Sequence, residues 1–210
     1  MPTNSCPNLQ KSLAWCEGMP QYPGIRRRVY FCSKSLIVAF PTLTRDTFGR
    51  ATSGSLTGSF TLAADAAWQY LDINIDKSTV TSEAQGENPS QTQLNKATFV
   101  HNGVDADAAS AAGFLNNSDT VFVYQDMAGK FRVLGNERWQ TKTTVAMDQG
   151  QGTNPASTTI SVEVTDEIAM PFYTGTLLTA DGTLDCSDGS ITPSSESEPG
   201  EGVEQPDVEG

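Results

Sequence analysis

One short helical pattern lies among many strand patterns, and this arrangement constrains the fold most. Residues 104–117 begin with Asp105 and Asp107 and continue largely in alanine, which predicts a helix with aspartates at its positive end. Strands are predicted around it over residues 93–102, 120–124, 130–134, 139–147 and 158–164. Such a chain is mainly β, because a lone short helix can only flank its sheets.

The second half of the chain gives the clearest strand signals. Residues 120–134 predict a β-hairpin with its turn at 127–129, where Gly129 can adopt a positive φ at no steric cost. Residues 158–164 alternate between apolar and polar side chains, so one face of this strand is predicted to be buried. The apolar members are Ile160, Val162 and Val164.

The first 24 residues differ from the rest of the chain. They are rich in Pro, Asn, Gln and Gly and have little periodicity, which predicts an N-terminal arm. Trp15 and Tyr22 indicate that the arm packs on something, because large aromatic side chains are seldom left in water. The first predicted strand, residues 25–32, starts with three arginines. They can form a basic patch, but a charged strand edge that discourages unwanted pairing is the favoured interpretation.

Strands and polar loops then alternate. The predicted elements are a partner for the first strand at residues 35–40, a loop at 42–57, a strand at 58–62 and a strand at 68–81 that becomes polar toward its end. A polar loop follows at 82–92, and the strand at 93–102 returns. These last segments describe a long hairpin that projects beyond its own core.

A projecting hairpin of this kind has two interpretations. Alone it is marginally stable in water, and its open edges are templates for pairing with another chain. It is therefore either a loose loop or an element that a neighbouring subunit completes, and the pattern leaves both alternatives open.

The acidic character of the chain is concentrated at its C-terminal end. The formal net charge is −12 over 210 residues, and seven acidic residues but no basic ones follow Asp185. Without that segment the net charge is −5, which argues against a broad nucleic-acid-binding surface. The Ser, Pro, Glu and Gly composition predicts a disordered tail. The predicted divisions are an arm at 1–24, a β domain at 25–178 and an acidic tail at 179–210.

The four cysteines, Cys6, Cys16, Cys32 and Cys186, have no CxxC spacing. Free thiols are favoured over a disulfide framework, and a zinc site built from the first three is only weakly supported. Residues 1–24 lack the apolar core of a signal peptide, and the longest apolar run, residues 36–40, is too short to span a bilayer. We therefore expect synthesis in the cytoplasm and no membrane partner.

No motif for catalysis or cofactor binding stands out. His101, the only histidine, lies in a predicted strand without a nucleophile elbow. Gly150 and Gly152 lack the Lys-Ser/Thr ending of a phosphate loop. Paired carboxylates are defined by their separation in space, and a deep pocket holding Glu137 and Glu163 side by side would favour an enzyme. We expect no enzyme, no cofactor and no metal.

Several local features carry a family resemblance. They are the segment Cys-Pro-Asn at 6–8, Pro-Gly-Ile-Arg-Arg-Arg-Val-Tyr at 23–30, Phe-Arg-Val-Leu-Gly at 131–135, Gly-Gln-Gly-Thr-Asn-Pro at 150–155, Thr-Ile-Ser-Val-Glu at 159–163 and Met-Pro-Phe-Tyr at 170–173. With the order of predicted elements, they make residues 5–175 resemble the tail tube (major tail) proteins of long-tailed bacteriophages, in the versions found in phages of gut Bacteroidales-type hosts.

The resemblance implies a fold and a function. The fold is an antiparallel β-sandwich or barrel with one short flanking helix, a long projecting hairpin and a disordered acidic C-terminal tail. The function is that of a virion structural protein whose copies form rings, usually hexamers, that stack into a tube. The implied partners are other copies of the chain and other virion tail proteins, and DNA passes through the lumen without specific binding. The implied location is the phage tail, after synthesis in the host cytoplasm.

The resemblance also implies which residues take part in assembly. The subunit-assembly hairpin is expected to use Ile73, Ile75, Lys77, Thr79, Thr81, Leu94, Lys96, Thr98 and Val100. Ring-to-ring contacts are expected from the arm and the loop at 42–57, through Trp15, Tyr22, Arg45 and Phe48. Two alternatives stay open: another virion ring component, such as a tail terminator, connector or baseplate protein, and a monomeric β-sandwich that binds a surface.

Overall fold

The computed structural model of the protein describes residues 8–193. Strands make up 47% of the described residues and helices 7%, so the prediction of a mainly β fold with one helix is confirmed. A 3₁₀ turn covers Lys34–Leu36, and the α-helix, α1, covers Ala106–Leu115. The strands are β1 Ile25–Ser33, β2 Ile37–Ala39, β3 Thr42–Arg45, β4 Ala51–Thr57, β5 Thr61–Leu62, β6 Gln69–Asp72, β7 Thr79–Gln85, β8 Thr92–Asn102, β9 Thr120–Asp126, β10 Phe131–Leu134, β11 Lys142–Asp148, β12 Ser157–Asp166, β13 Phe172–Tyr173, β14 Thr176–Thr179, β15 Gly182–Asp185 and β16 Ile191–Thr192.

Helix α1 has the ends that its sequence predicts. The Asp105 carboxylate accepts a hydrogen bond from the Ala108 N–H at 2.7 Å, which satisfies one of the free donors of the first turn. At the other end, the Asn116 N–H donates to the Ala112 carbonyl at 3.0 Å. The helix therefore begins and ends through short-range interactions.

The strands form one central sheet with one smaller sheet on one side and two on the other. The central sheet has seven strands in the order β3-β4-β13-β10-β9-β1-β6. On one side lies the four-stranded sheet β11-β12-β8-β7, and on the other lie the three-stranded sheet β14-β15-β16 and the pair β2-β5. Every strand pair of residues 8–193 is antiparallel except β4 with β13.

Strand β9 shows why the central sheet has two cores. Val121 and Val123 pack in the cluster that faces the C-terminal strands. Phe122 and Tyr124, on the opposite face of the same strand, pack in the cluster that faces the four-stranded sheet. An uninterrupted apolar run suits a strand that is buried on both faces.

The core between the central and four-stranded sheets confirms the predicted alternation of β12. The side chains of Ile160, Val162 and Val164 are buried there, while Ser161 and Glu163 point away from it. Phe99 of β8 and Leu115 of α1 complete the same cluster. Alternation with period two thus marks the strand that has a core on one face only.

The second core corrects the predicted C-terminal boundary. Leu177 and Leu184, on β14 and β15, are buried beneath the central sheet together with Cys186. The prediction that the disordered tail begins at residue 179 is therefore wrong for residues 179–193. Thr, Ser, Asp and Gly dominate the composition there, and they conceal Leu184 and Cys186, which anchor this segment in the core. The rest of the predicted tail lies outside the described residues.

Two further predictions for the first half of the chain are wrong. Residues 42–57 form the antiparallel hairpin β3–β4 and not a loop, with Thr42 opposite Thr57. Threonine suits the pleated surface of a strand, so the polar composition was misleading. Strand β2 pairs with β5 and not with β1, whose partners are β6 and β9. The strand predicted at 58–62 is shortened to Thr61–Leu62.

Candidate self-association surfaces

The predicted long hairpin is divided between two sheets. Strand β6 pairs with β1 in the central sheet, and the chain then crosses to the four-stranded sheet, where β7 pairs with β8. Ile73, Ile75 and Lys77 lie in this crossing and not on the hairpin. Ile73 is buried in the core, whereas Ile75 and Lys77 are exposed.

The remaining predicted hairpin residues belong to β7 and β8. Five of them share the outer face of the four-stranded sheet, which points away from the core, and these are Thr79, Thr81, Leu94, Lys96 and Thr98. Val100 is buried at the end of β8. Strand β8 pairs with β12 along ten residues. The second edge of β8 is therefore paired, whereas the sequence interpretation had assumed that both edges of the hairpin were open. Within the described residues, β7 alone is the open edge of this hairpin.

The direction of the β7 backbone groups follows from hydrogen bonds at the end of β8. The Val100 carbonyl accepts from the Asn74 N–H at 2.7 Å, and the Val100 N–H donates to the Ser78 hydroxyl at 3.0 Å. Residues 74 and 78 precede β7 and lie on the same side of β8 as β7. The backbone groups of Val100 therefore point toward β7, and so do those of Thr98, Lys96, Leu94 and Thr92, because the direction alternates along a strand. Their register partners on β7 are Thr79, Thr81, Glu83 and Gln85.

The other residues of β7 consequently point their backbone groups away from the sheet. These residues are Val80, Ser82 and Ala84. Among the strands of residues 8–193, none pairs with this side of β7. It is a short row of exposed donors and acceptors of the kind to which another strand can add.

The opposite edge of the same sheet, β11, is capped by side chains. The alternation of backbone direction, carried from β8 through β12 to β11 by the pairing register, predicts that the N–H groups of Thr141 and Val145 point away from the sheet. An Asp119 carboxylate oxygen accepts from the Thr141 N–H at 2.9 Å, and the Asn116 side-chain oxygen accepts from the Val145 N–H at 2.7 Å. Lys34 forms an ion pair with Asp119 at 2.8 Å. The segment between α1 and β9 therefore protects this edge.

The outer face of the four-stranded sheet is polar and balanced in charge. Lys142 lies opposite Glu163, and Glu163 lies opposite Lys96, which also forms an ion pair with Glu83. These four side chains, with Glu83 two residues along β7 from the row, carry two positive and two negative charges. Thr and Ser side chains occupy most of the face around it, and no other layer of the described chain covers it.

The N-terminal arm exposes several large apolar side chains. Residues 8–24 form no helix or strand, and Lys11 ties them to the body by donating to the Thr52 carbonyl at 2.6 Å. Trp15 is 65% exposed and Tyr22 is 62% exposed. The expectation that these aromatic residues pack is thus not met within residues 8–193 of a single copy. Leu13 and Met19 are exposed as well.

The β3–β4 hairpin carries the other two residues that were expected to contact a neighbouring ring. Phe48 lies at its turn and is about half exposed. Arg45 instead forms two hydrogen bonds with Glu167, at 2.7 and 3.0 Å, and Glu167 also binds Arg138 at 2.6 Å. The bonds from Arg45 lower the pKa of Glu167. Arg45 therefore anchors its own hairpin to the body.

The structure does not bring together the two carboxylates that would favour an enzyme. A cleft of about 170 Å³ includes Glu137 together with Asp166 and Glu167, whereas Glu163 lies on the outer face of the four-stranded sheet. Burial raises the pKa of the Asp166 carboxyl. His101 is half-buried, and its Nδ1 lies 2.7 Å from the Asp72 carbonyl oxygen.

The described cysteines do not form a common site. Cys32 and Cys186 are buried free thiols of the second core, and Cys16 is exposed on the arm. Burial raises the pKa of Cys32 to about 11 and that of Cys186 to about 12. Cys6 lies outside the described residues. No group of three or more potential metal ligands occurs among residues 8–193.

Comparisons of the chain with models of protein families, with curated proteins and with solved structures find no match. In the described part of the chain, no helix has the length and apolar character needed to cross a bilayer. The strongest functional features are therefore the open β7 edge, the polar outer face beside it and the exposed arm.

Sequence reasoning foresaw some of these features and missed others. It placed an assembly element near β7 and β8, but it did not distinguish the open edge from the paired one. It ended the helical pattern at residue 117 and did not predict that Asn116 and Asp119 cap the β11 edge. No local signal indicates such a cap, because the bonded partners lie 22 and 29 residues away.

Proposed function

We propose that the protein is a structural subunit of a bacteriophage tail tube. Its copies associate into rings, hexameric in keeping with the family it resembles, and the rings stack into a tube in the virion. Other tail proteins bind the ends of the tube. The observation that carries the proposal is the four-stranded sheet, which combines one open edge with an uncovered polar face.

The open edge supplies a means of association. The outward backbone groups of Val80, Ser82 and Ala84 can pair with a strand from a neighbouring copy, which extends the sheet across the subunit boundary. A head-to-tail contact of this kind, repeated around a symmetry axis, closes a ring. Each copy then contributes its four-stranded sheet to the wall of the tube.

The polar outer face suits the inner wall of such a ring. Threonine and serine side chains are compatible with a water-filled lumen. DNA binds proteins mainly through lysine and arginine side chains that neutralise phosphates. On this face Lys96 and Lys142 both lie opposite Glu163, so the face offers little unpaired positive charge. DNA can therefore pass without being held.

The proposal is tested by electron microscopy of negatively stained protein over a concentration series, together with light scattering. We expect rings and hollow tubes for the unchanged chain and a strong reduction for Ala84→Pro. Proline at this position removes an outward N–H group and leaves the bonds between β7 and β8 in place. Ala84→Val is the matched control, since it keeps the N–H group and suits a strand.

The outcomes separate the possibilities. Tubes formed equally well by Ala84→Pro would show that the β7 edge is not the association surface. Single rings that never stack would favour a terminator, connector or baseplate component. A protein that stays monomeric at every concentration would contradict the proposal. Thermal unfolding of each variant checks that the monomer is folded.

A further inference from the structure

A shallow apolar groove lies between α1 and the β6 edge of the central sheet. Its volume is about 290 Å³, which is roughly ten times the volume of a water molecule in the liquid. The apolar side chains that line it include Phe31, Leu71, Leu115 and Ile160. Phe31 and Leu71 are only partly buried against the core, so a further apolar side chain in the groove would complete their burial.

The groove exists because α1 presents small side chains to it. Ala108, Ala111 and Ala112 line its helical wall, and methyl groups are too short to fill the space between helix and sheet. Asp105 and Asp107 stand at its rim. The groove thus combines an apolar floor with hydrogen-bond acceptors at one side, which suits an amphipathic aromatic side chain.

The arm of the same chain has side chains of this chemistry. Trp15 is the largest of its exposed apolar residues, and its indole N–H can donate to a carboxylate. Tryptophan is also enriched among the residues that contribute most to protein interfaces. The chemistry of the arm and that of the groove are therefore complementary.

Within one copy, the arm runs away from the groove. The arm joins the body at the start of β1 and is held at Thr52 on β4. Four strands of the central sheet separate β4 from β6, which amounts to roughly 24 Å at a spacing of about 4.8 Å per strand. In this arrangement Trp15 is exposed and does not line the groove of its own copy, so the arm that we place in the groove comes from a second copy.

We propose that Trp15 of one copy inserts into the groove between α1 and β6 of the next copy. The arm and the groove are different surfaces at opposite edges of the subunit, so the contact is head-to-tail. Head-to-tail contacts generate rings when the rotation closes and open chains when it does not. This inference rests on the proposed function, which requires self-association, and it names a second contact besides the β7 edge.

The test is complementation between two variants of the full chain. Trp15→Ala removes the anchor and keeps the groove, whereas Ala111→Phe fills the groove and keeps the arm. We expect each variant alone to associate roughly tenfold or more weakly than the unchanged chain, which is the loss typical of an interface anchor. In an equal mixture, the intact arm of Ala111→Phe can enter the intact groove of Trp15→Ala, which gives one contact per mixed pair. Sedimentation velocity with one variant labelled measures these mixed dimers.

A control variant on the same helix is Phe114→Ala. Phe114 is exposed and does not line the groove, so this variant is expected to associate as the unchanged chain does. Thermal unfolding checks the folding of all variants. Ala108→Phe fills the groove from the preceding helical turn and takes the place of Ala111→Phe if that variant is unfolded.

Several outcomes would overturn the inference. If the unchanged chain associates and both variants associate as strongly as it does, the contact between arm and groove is absent while the proposed function stands. If both variants are weakened but their mixture forms no mixed dimers, the arm and the groove do not bind each other. If the unchanged chain is monomeric at every concentration, the proposed function and this inference fail together.

Discussion

The central sheet and the four-stranded sheet differ in how much of their surface the chain itself covers. The central sheet has a core on each face, formed with the four-stranded sheet on one side and with the C-terminal strands on the other. The four-stranded sheet has a core on one face, a capped edge at β11 and an open edge at β7. The chain thus covers both faces of one sheet and leaves the other with one uncovered face and one open edge within the described residues.

The two edges of the four-stranded sheet make the contrast sharper. Both are strands of seven residues with a high content of threonine and serine or other small residues. They differ because side chains from the segment after α1 accept hydrogen bonds at the β11 edge, from the N–H groups of Thr141 and Val145. Strand propensity therefore does not decide which edge stays open. The position of a neighbouring loop does.

The largest expected effect concerns the cover of the central sheet. Leu177 is fully buried, whereas the next residue, Leu178, is 50% exposed. Leu177→Ala should lower the free energy of unfolding by about 3 kcal/mol, the typical loss for a buried leucine. Leu178→Ala should change it by less than about 0.5 kcal/mol. Urea unfolding measures both.

Equal effects of these two variants would contradict the comparison, because the C-terminal strands would then not contribute a core of their own. The two leucines are adjacent on β14, so strand propensity and position in the chain are matched.

The next effect concerns the capped edge. Asp119→Ala removes the acceptor of the Thr141 N–H and the partner of Lys34, and we expect a loss of about 2 kcal/mol, as for hydrogen bonds that involve charged groups. It also exposes β11, so light scattering should detect more association for this variant than for the unchanged chain at the same concentration. Asp107→Ala, in the first turn of α1, is the control and should cost less than about 1 kcal/mol.

Two neighbouring acids near the end of β12 should respond to pH in opposite directions. Burial raises the pKa of Asp166, so its contribution to stability is complete below the usual aspartate pKa and is lost as the pH rises through the raised value. Asp166→Asn should therefore be more stable than the unchanged chain at pH 7. Its advantage should disappear in acid.

Glu167→Gln is the matched control for this pH dependence. Arg45 lowers the pKa of Glu167, so the stability that it contributes is present above the usual glutamate pKa and is lost as the pH falls through the lowered value. The Gln variant should be less stable at pH 7 and equal to the unchanged chain in strong acid. Thermal unfolding between pH 3 and 7 compares the pair, and shifts of the same sign would contradict the assignment.

The smallest expected effect concerns the uncovered face. Glu163 is exposed between two lysines, so Glu163→Gln should change the free energy of unfolding by less than about 0.5 kcal/mol. It removes the acidic side chain opposite Lys142, while Lys96 keeps its ion pair with Glu83. Weak binding of duplex DNA at low salt should then appear that is absent from the unchanged chain. Fluorescence anisotropy of labelled DNA measures it. A large loss of stability would mean that this face is not solvated.

Sequence reasoning succeeded where local pattern decides structure. The cap at Asp105 and the alanines after it define α1, and the alternation around Val162 defines β12. It failed for the β3–β4 hairpin and for the strands after residue 179, where polar composition concealed strands that long-range packing stabilises. For the candidate site it found the region of β7 and β8 but placed Ile73 on the hairpin, although that residue is buried in the core.

The sequence by itself determined the mainly β character, the single helix and the polar nature of the strands that form the outer face. These properties depend on periodicity, propensity and capping, which act over a few residues. Only the tertiary structure decided that β6 and β7 belong to different sheets, that Asn116 and Asp119 cap β11, and that β7 stays open. A strand donor is satisfied by any acceptor within reach. Only the packing of distant segments brings an acceptor such as Asn116 or Asp119 there, and no local pattern specifies that packing.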